Sequence, residues 1–199
     1  MANLNQLIDV GIIKEKYNLK YFIETGTGMG ETIDNILNYG FELIQSCEIE
    51  KTQFEELKNK YQQKNLLIHF GKSSDALPKM LNNIDGPSLI FLDAHFPGQG
   101  YVRNEFISEK YTIDEIIPLE NEFNILKTYK HISGSVIVVD DLRIYKKGNY
   151  SKGDWENGRE MLQNPNYSFL EDLNDTHIKI ESEIEQGCVI FYPINNKVC

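Results

Sequence analysis

Glu24-Thr25-Gly26-Thr27-Gly28-Met29-Gly30-Glu31-Thr32 follows a short apolar stretch, Tyr21–Glu24, and precedes a segment of helical period. Glycines at alternate positions let a chain turn sharply and keep Cβ atoms away from an approaching ligand. A dinucleotide-binding turn spaces its glycines as G-x-G-x-x-G, and the place of its third glycine is here held by Glu31. The stretch therefore reads as the end of a first strand facing a ligand other than a dinucleotide. Alone it also fits an ordinary turn before a helix, so the flanking pattern has to decide.

Outward from that turn, strand-like and helix-like segments alternate. A helical stretch over about 31–39 is followed by a second strand, Phe41–Glu48, and a polar-faced helix, Lys51–Gln63, with Phe54, Leu57, Lys58 and Tyr61 at helical spacing. Leu66–Phe70 reads as a third strand, Ser74–Asn82 as a helix, and Leu89–Leu92 as a fourth strand buried on both faces. A long helix is expected over Ile113–Lys130, and Val136–Val139 is a β-branched fifth strand. A further helix is expected at Gly158–Leu162. Ile178–Ile184 and Gly187–Tyr192 then read as an antiparallel hairpin. Alternation followed by a hairpin predicts an α/β fold: a mainly parallel, Rossmann-like sheet with an antiparallel edge and helices on both faces. On such sheets ligands sit at the carboxyl ends of the strands.

The chain has 199 residues, 41% hydrophobic and 11% aromatic, which fits one domain at about 150 residues per domain. No repeat or linker-like tract divides it, so 1–199 is expected to be a single unit, with a lid-like insertion at about 97–112. Twenty basic against thirty acidic residues leave a net charge of −10, unfavourable for nucleic acid. The longest apolar run, Cys188–Tyr192, is far short of the roughly 20 residues a membrane span needs. The first residues lack a signal-peptide pattern. Three cysteines, Cys47, Cys188 and Cys199, are widely spaced with no zinc-type pairing. A cytoplasmic protein with reduced thiols is the expectation, with monomer or homodimer left open.

The acidic residue followed by Gly26, Gly28 and Gly30 resembles the E/D-x-G-x-G-x-G turn of class I S-adenosylmethionine-dependent methyltransferases. That resemblance implies a seven-stranded sheet and S-adenosylmethionine as cofactor, with Glu24, Thr25, Gly26, Gly28 and Gly30 around its methionine part. It also implies a carboxylate at the second strand tip for the ribose hydroxyls, and Glu48 falls there, with Glu50 at the start of the next helix. After the third strand, Gly71–Pro78 looks like the corresponding stretch of catechol O-methyltransferases and places Ser73 and Ser74 near the adenine. Ser74 equally suits a helix N-cap.

The fourth strand ends at Asp93-Ala94-His95-Phe96 and the fifth at Asp140-Asp141. Three carboxylates on neighbouring strand tips are costly to crowd unless a cation neutralises them, and hard oxygen donors suit magnesium or calcium. This pattern resembles metal-dependent O-methyltransferases of catechols and of antibiotic sugars, which implies Asp93, Asp140 and Asp141 as ligands of a divalent ion such as Mg2+. Those families carry an aspartate or a lysine as the nearby base, where this chain has His95 and Phe96. Histidine titrates near neutrality, so His95 is read first as the general base, with Asp93 beside it in the catalytic set. A fourth metal ligand, or a hydrogen-bond partner behind the ligands, is the alternative. His69, His131 and His177 read as structural.

The segment from Pro97 to Tyr111 carries Tyr101, Arg103 and Tyr111, candidate substrate contacts because arginine forks onto phosphate and tyrosine stacks on sugars. A solvated loop is the alternative reading. Trp155 is either an apolar plug or part of the acceptor wall. The wording around Asp93 also looks like bacterial methyltransferases associated with surface-polysaccharide genes. These resemblances imply O-methylation of a small polar acceptor, a sugar or nucleotide-activated sugar. A metal-dependent glycosyltransferase reading Asp93-Ala94-His95 as a D-x-D-like motif, and a methyltransferase of a catechol or an amine, are the competing readings.

Overall fold

The computed structural model describes residues 4–96 and 111–194. Two short helices, α1 (Leu4–Leu7) and α2 (Val10–Lys16), lead into β1 (Tyr21–Thr25). Asp9 caps α2, its carboxylate accepting from the Ile12 N–H at 3.0 Å. Then come α3 (Glu31–Ile36), β2 (Leu43–Glu48), α4 (Lys51–Lys60), β3 (Leu66–Phe70), α5 (Ser73–Asn82) and β4 (Ser88–Leu92). The second half holds α6 (Ile113–Ile116), α7 (Leu119–Leu126), β5 (Val136–Val139), α8 (Glu156–Met161), β6 (His177–Ser182) and β7 (Cys188–Pro193).

The strands form one seven-stranded sheet in the order β3-β2-β1-β4-β5-β7-β6. The first five strands are parallel, and β7 enters antiparallel between β5 and β6. The expected Rossmann-like sheet with a terminal antiparallel hairpin is thus the fold observed. Because successive residues of a strand face opposite sides, Phe22 and Ile23 feed two different cores. Ile23 joins Leu77, Met80, Phe123 and Phe191 under α5 and α7. Phe22 joins Ile33, Ile36, Leu57 and Val138 on the opposite face. β4 and β5 are buried throughout, which explains their unbroken apolar sequence.

Several boundaries differ from the sequence expectation for local reasons. The helix expected over Ile113–Lys130 is broken at Ile117-Pro118, because proline lacks an N–H and pushes the preceding residue out of helical geometry. Ile117 accordingly has φ −135° and ψ 72°. The helix after β2 stops at Lys60, with Tyr61 extended. The second strand begins at Leu43 rather than Phe41. Lys72, not Ser74, holds the N-cap of α5, and both serines lie in its first turn. Among the described residues no helix is long and apolar enough to cross a membrane.

Candidate active site

The glycine turn is held from below by β2. The N–H groups of Gly26 and Thr27 both donate to the Cys47 carbonyl, at 3.1 and 3.0 Å. Gly26, Gly28 and Gly30 all have positive φ, of 79°, 55° and 82°. A Cβ on Gly26 would stand 2.8 Å from the Ala94 Cα and the Asp93 carbonyl, and one on Gly30 would stand 2.4 Å from the Tyr61 hydroxyl. These two glycines are therefore demanded by the protein's own packing and handedness, as the sharp turn expected from the sequence requires. Tyr61, read in the sequence only as part of the spacing of a helix, donates to the Gly30 carbonyl at 2.8 Å and seals the turn against α4.

Glu48 sits at the tip of β2 as expected. Its Oε2 accepts from the Gly28 N–H at 3.1 Å and its Oε1 from the Glu50 N–H at 2.8 Å. Each carboxylate oxygen can accept more than one bond, so the side chain is held in place with capacity to spare. Burial pushes its pKa up, against the pull of those backbone donors. Glu24 lies deeper. The Ser46 hydroxyl donates to it at 2.6 Å, and burial pushes its carboxyl up to about 8 despite the hydroxyls of Ser46 and Thr32. Glu24 thus braces the underside of the turn, tied to hydroxyls, instead of standing at the cleft surface.

Thr25, the last residue of β1, is fully buried, and its hydroxyl has no hydrogen-bond partner among the described residues. Ser73 is buried at the head of α5. Ser74 lines an open groove of about 800 Å³ between α5 and α7, with Pro78, Leu81, Asn121 and Asn124.

At the tips of β4 and β5 the structure brings together Asp93, His95, Asp140 and Asp141. His95 lies between two aspartates, its Nδ1 3.6 Å from Asp93 and its Nε2 3.6 Å from Asp141. Both distances are too long for hydrogen bonds but bring opposite partial charges together. The Asp93 and Asp140 carboxyls interact directly, and burial together with their mutual repulsion pushes the Asp93 pKa well up, that of Asp140 also rising on burial. Each keeps an Oδ1 with no hydrogen-bond partner among the described residues. Asp141 and Phe96 adopt left-handed backbone, with φ of 53° and 46°, a local strain of the kind found at functional sites.

The expected three-aspartate metal set does not converge. Among the described residues no group of three or more His, Cys, Asp or Glu side chains is placed to hold a metal ion. Asp141 is engaged by Arg143, whose Nε donates to its Oδ1 at 2.9 Å. Arg143 follows the aspartate pair by two residues, a proximity the sequence displays but does not interpret. Behind it, Arg159 forks onto Asp154 at 2.8 and 2.7 Å and donates to the Arg143 carbonyl at 2.7 Å, fixing the loop after β5.

Trp155 is the apolar plug of the two alternatives, its ring edge-on to Phe96 at 5.0 Å beside Ile116, Ile144 and Leu162. Tyr111, expected as a substrate contact, packs against this same cluster. Tyr101, Arg103 and residues 97–110 of the lid-like insertion expected at about 97–112 lie outside the described residues. His69, His131 and His177 bond to Gln45, Asp85 and the Ser135 carbonyl respectively, the structural roles expected of them. Glu122, a carboxylate on the buried face of α7, was not anticipated. Its place at helical spacing among Leu119, Phe123 and Leu126 is the signal that would have found it.

The sequence matches no protein-family model and no curated protein. The fold does match solved structures. A methyltransferase of Podospora anserina, solved with S-adenosylhomocysteine bound, superposes at a TM-score of 0.58 and 12% identity, covering 92% of this chain and 76% of that one. An O-methyltransferase of Streptomyces achromogenes involved in tomaymycin synthesis, in complex with S-adenosylmethionine, gives 0.56 at 15% identity, covering 93% and 78%. Human methyltransferase-like protein 13, with S-adenosylhomocysteine, gives 0.56 at 10%, covering 100% and 85%. This chain therefore has the class I methyltransferase fold.

Proposed function

We propose that the protein is an S-adenosylmethionine-dependent O-methyltransferase of a small polar acceptor, a sugar or nucleotide-activated sugar being the acceptor class favoured. The observation that carries this reading is the bond from the Gly28 N–H to Glu48. It joins the glycine turn to the strand-two carboxylate in one preformed cradle, on the same sheet whose β4 and β5 tips carry three aspartates and a histidine. A metal-dependent glycosyltransferase would leave that cradle unused.

S-adenosylmethionine, when bound, supplies an electrophilic methyl group on a cationic sulfonium. Glu48 would take the ribose hydroxyls, with the turn at Gly26–Gly30 under the methionine part. Methyl transfer is a displacement that needs an aligned nucleophile and little covalent assistance. A hydroxyl is a poor nucleophile until it loses its proton, and His95 stands at the strand tips to accept it, with Asp93 and Asp141 flanking the ring to stabilise the imidazolium that results. Arg143 would keep Asp141 in that position. An amine acceptor would need only its neutral lone pair, leaving His95 and the aspartates idle, which supports oxygen as the methylated atom. Asp93 and Asp140, two buried hard donors each with an unpartnered oxygen, are the residues that would hold a divalent cation such as Mg2+, which would orient and acidify the acceptor hydroxyl.

Calorimetry with S-adenosylhomocysteine tests the cofactor. Binding by the wild type, weakened at least about tenfold in Glu48→Ala, is expected from loss of charge-assisted hydrogen bonds. No binding, or equal binding by the variant, rejects the proposal. A methyl-transfer screen by mass spectrometry across nucleotide sugars, free sugars and catechols, with and without a chelator, tests acceptor and metal together. Methylation of catechols alone overturns the sugar assignment, and undiminished turnover in chelator overturns the cation.

A further inference from the structure

The sheet ends in β6, which among the described residues pairs with β7 alone. An edge strand offers its outer N–H and C=O groups to any further strand, and proteins blunt such edges with charge, proline or a covering segment. On β6 the covering stops short of the middle. Bonding directions alternate along an antiparallel ladder, and the Ile194 N–H donates to the Thr176 carbonyl at 2.9 Å. Ile178, Ile180 and Ser182 therefore turn their backbone groups toward β7, while His177, Lys179 and Glu181 turn theirs outward. The His177 N–H is taken by the Leu173 carbonyl at 2.8 Å, and the carbonyl of Glu183, next in the outward series, accepts from the Ser151 N–H at 3.1 Å. Between those two bonds the backbone of Lys179 and Glu181 forms a short window centred on Ile180.

The side chains around that window fit a second copy of the same strand. Ile178 and Ile180, 55% and 46% exposed, share a face of the sheet with their β7 partners Tyr192 and Ile190. Lys179 and Glu181 lie on the other face, Lys179 paired with Glu171 and Glu181 with Lys146. A two-fold axis normal to the sheet at Ile180 would set two β6 strands antiparallel. Lys179 then stands opposite Glu181 of the second copy, twice over by symmetry, with the outward backbone groups of both residues in register and Ile180 against its own copy. An axis at Lys179 or at Glu181 would set like charges face to face, and would also pair an outward group with one that Leu173 or Ser151 already holds. The opposite edge, β3, has no such complementarity: its one ionisable residue, His69, is bonded to Gln45.

We propose that the protein forms a two-fold dimer through β6, joining the seven-stranded sheets of two copies into one continuous sheet. The contact is short and lies at the small end of specific interfaces, so a dissociation constant on the order of 10 μM is expected. Because the axis opposes the strand directions of the two copies, their strand tips point to opposite ends of the joint sheet, and each copy keeps its own candidate site. The inference is independent of the proposed function.

Sedimentation velocity tests it. The wild type should run mainly as a monomer at about 1 μM and mainly as a dimer at about 200 μM. Lys179→Glu and Glu181→Lys should each weaken the dimer by at least about tenfold, since each sets like charges opposite one another across the axis. Mixed in equal amounts, the two variants should associate with each other about as well as wild-type copies do, because every charge then meets its opposite. A role confined to the fold of one chain cannot be rescued in this way by a second chain. Leu67→Lys, on the β3 edge, should leave the dimer unchanged. A wild type that stays monomeric at about 200 μM, single variants that dimerise like it, a mixture that does not associate, or a dimer lost in Leu67→Lys overturns the inference. If a charge variant does not fold, hydrogen exchange on the wild type decides: the Lys179 and Glu181 amides should exchange about fivefold more slowly at about 200 μM than at about 1 μM, and equal rates overturn the dimer.

Discussion

At the tips of β1 and β2 the carboxylates are matched by donors: Glu48 takes two backbone N–H groups, and Glu24 takes the Ser46 hydroxyl, which in turn meets Thr27 at 2.7 Å. At the tips of β4 and β5 the same residue type is treated differently. Asp93 and Asp140 face each other with unpartnered oxygens, and Asp141 takes a left-handed backbone and leans on Arg143. One half of the floor is finished before any ligand arrives. The other carries buried negative charge that only a proton, a cation or a cationic ligand can offset. Under the proposed function, the difference separates a half that would bind by preformed shape from one that would respond to charge.

The largest expected effect would break the finished half. Gly26→Ala places a Cβ against the backbone of Ala94 and Asp93 at 2.8 Å while keeping a φ of 79°. Backbone cannot move aside as a flexible side chain can, so a loss of about 3 kcal/mol is expected in urea unfolding, with S-adenosylhomocysteine binding abolished. Wild-type stability in this variant would show that the two strand tips are not in contact.

On the other half, Arg143→Met should cost about 2 kcal/mol and most of the turnover, because it strands the buried Asp141 charge. A variant that keeps both would place Asp141 outside the working cluster.

The contrast between the halves also has a sign that pH can reveal. Glu24, Glu122, Asp93 and Asp140 all have pKa values raised in the folded protein, so the fold holds protons that the unfolded chain gives up. Stability from these groups is complete below the unfolded carboxylate range near 4.5 and is lost as pH rises through about 7 for Glu122 and about 8 for Glu24. The ligand-free protein should therefore unfold more readily in urea at pH 8.5 than at pH 6. Asp140→Asn removes one of two repelling charges and should gain about 1 kcal/mol at pH 8.5 while losing methyl transfer. A variant less stable than wild type at that pH would show that the Asp93–Asp140 contact is favourable as it stands.

The smallest expected effect concerns Ser74. Because it lines the groove between α5 and α7, Ser74→Ala should change S-adenosylhomocysteine affinity by less than about twofold, against a larger loss in Ser73→Ala. A reversed order would return the adenine contact to Ser74.

Much of this was legible in the amino-acid sequence because local chemistry sets it. The alternation of apolar stretches with helical periods determined the class of sheet, and the terminal pair of strands determined its antiparallel edge. The glycine spacing located the turn, and chain position alone put Glu48, Asp93, Asp140 and Asp141 at strand tips, since a carboxylate that follows a buried strand emerges at its end. Tertiary structure decided what those residues touch. That Gly26 is reserved for the backbone just beyond β4, that Tyr61 closes the turn from the end of α4, and that Arg143 engages Asp141 are consequences of packing between segments distant in sequence or of a backbone dihedral. Spacing fixes which strand end a side chain leaves from. Its direction, partners and charge state depend on the atoms that surround it once the sheet has closed.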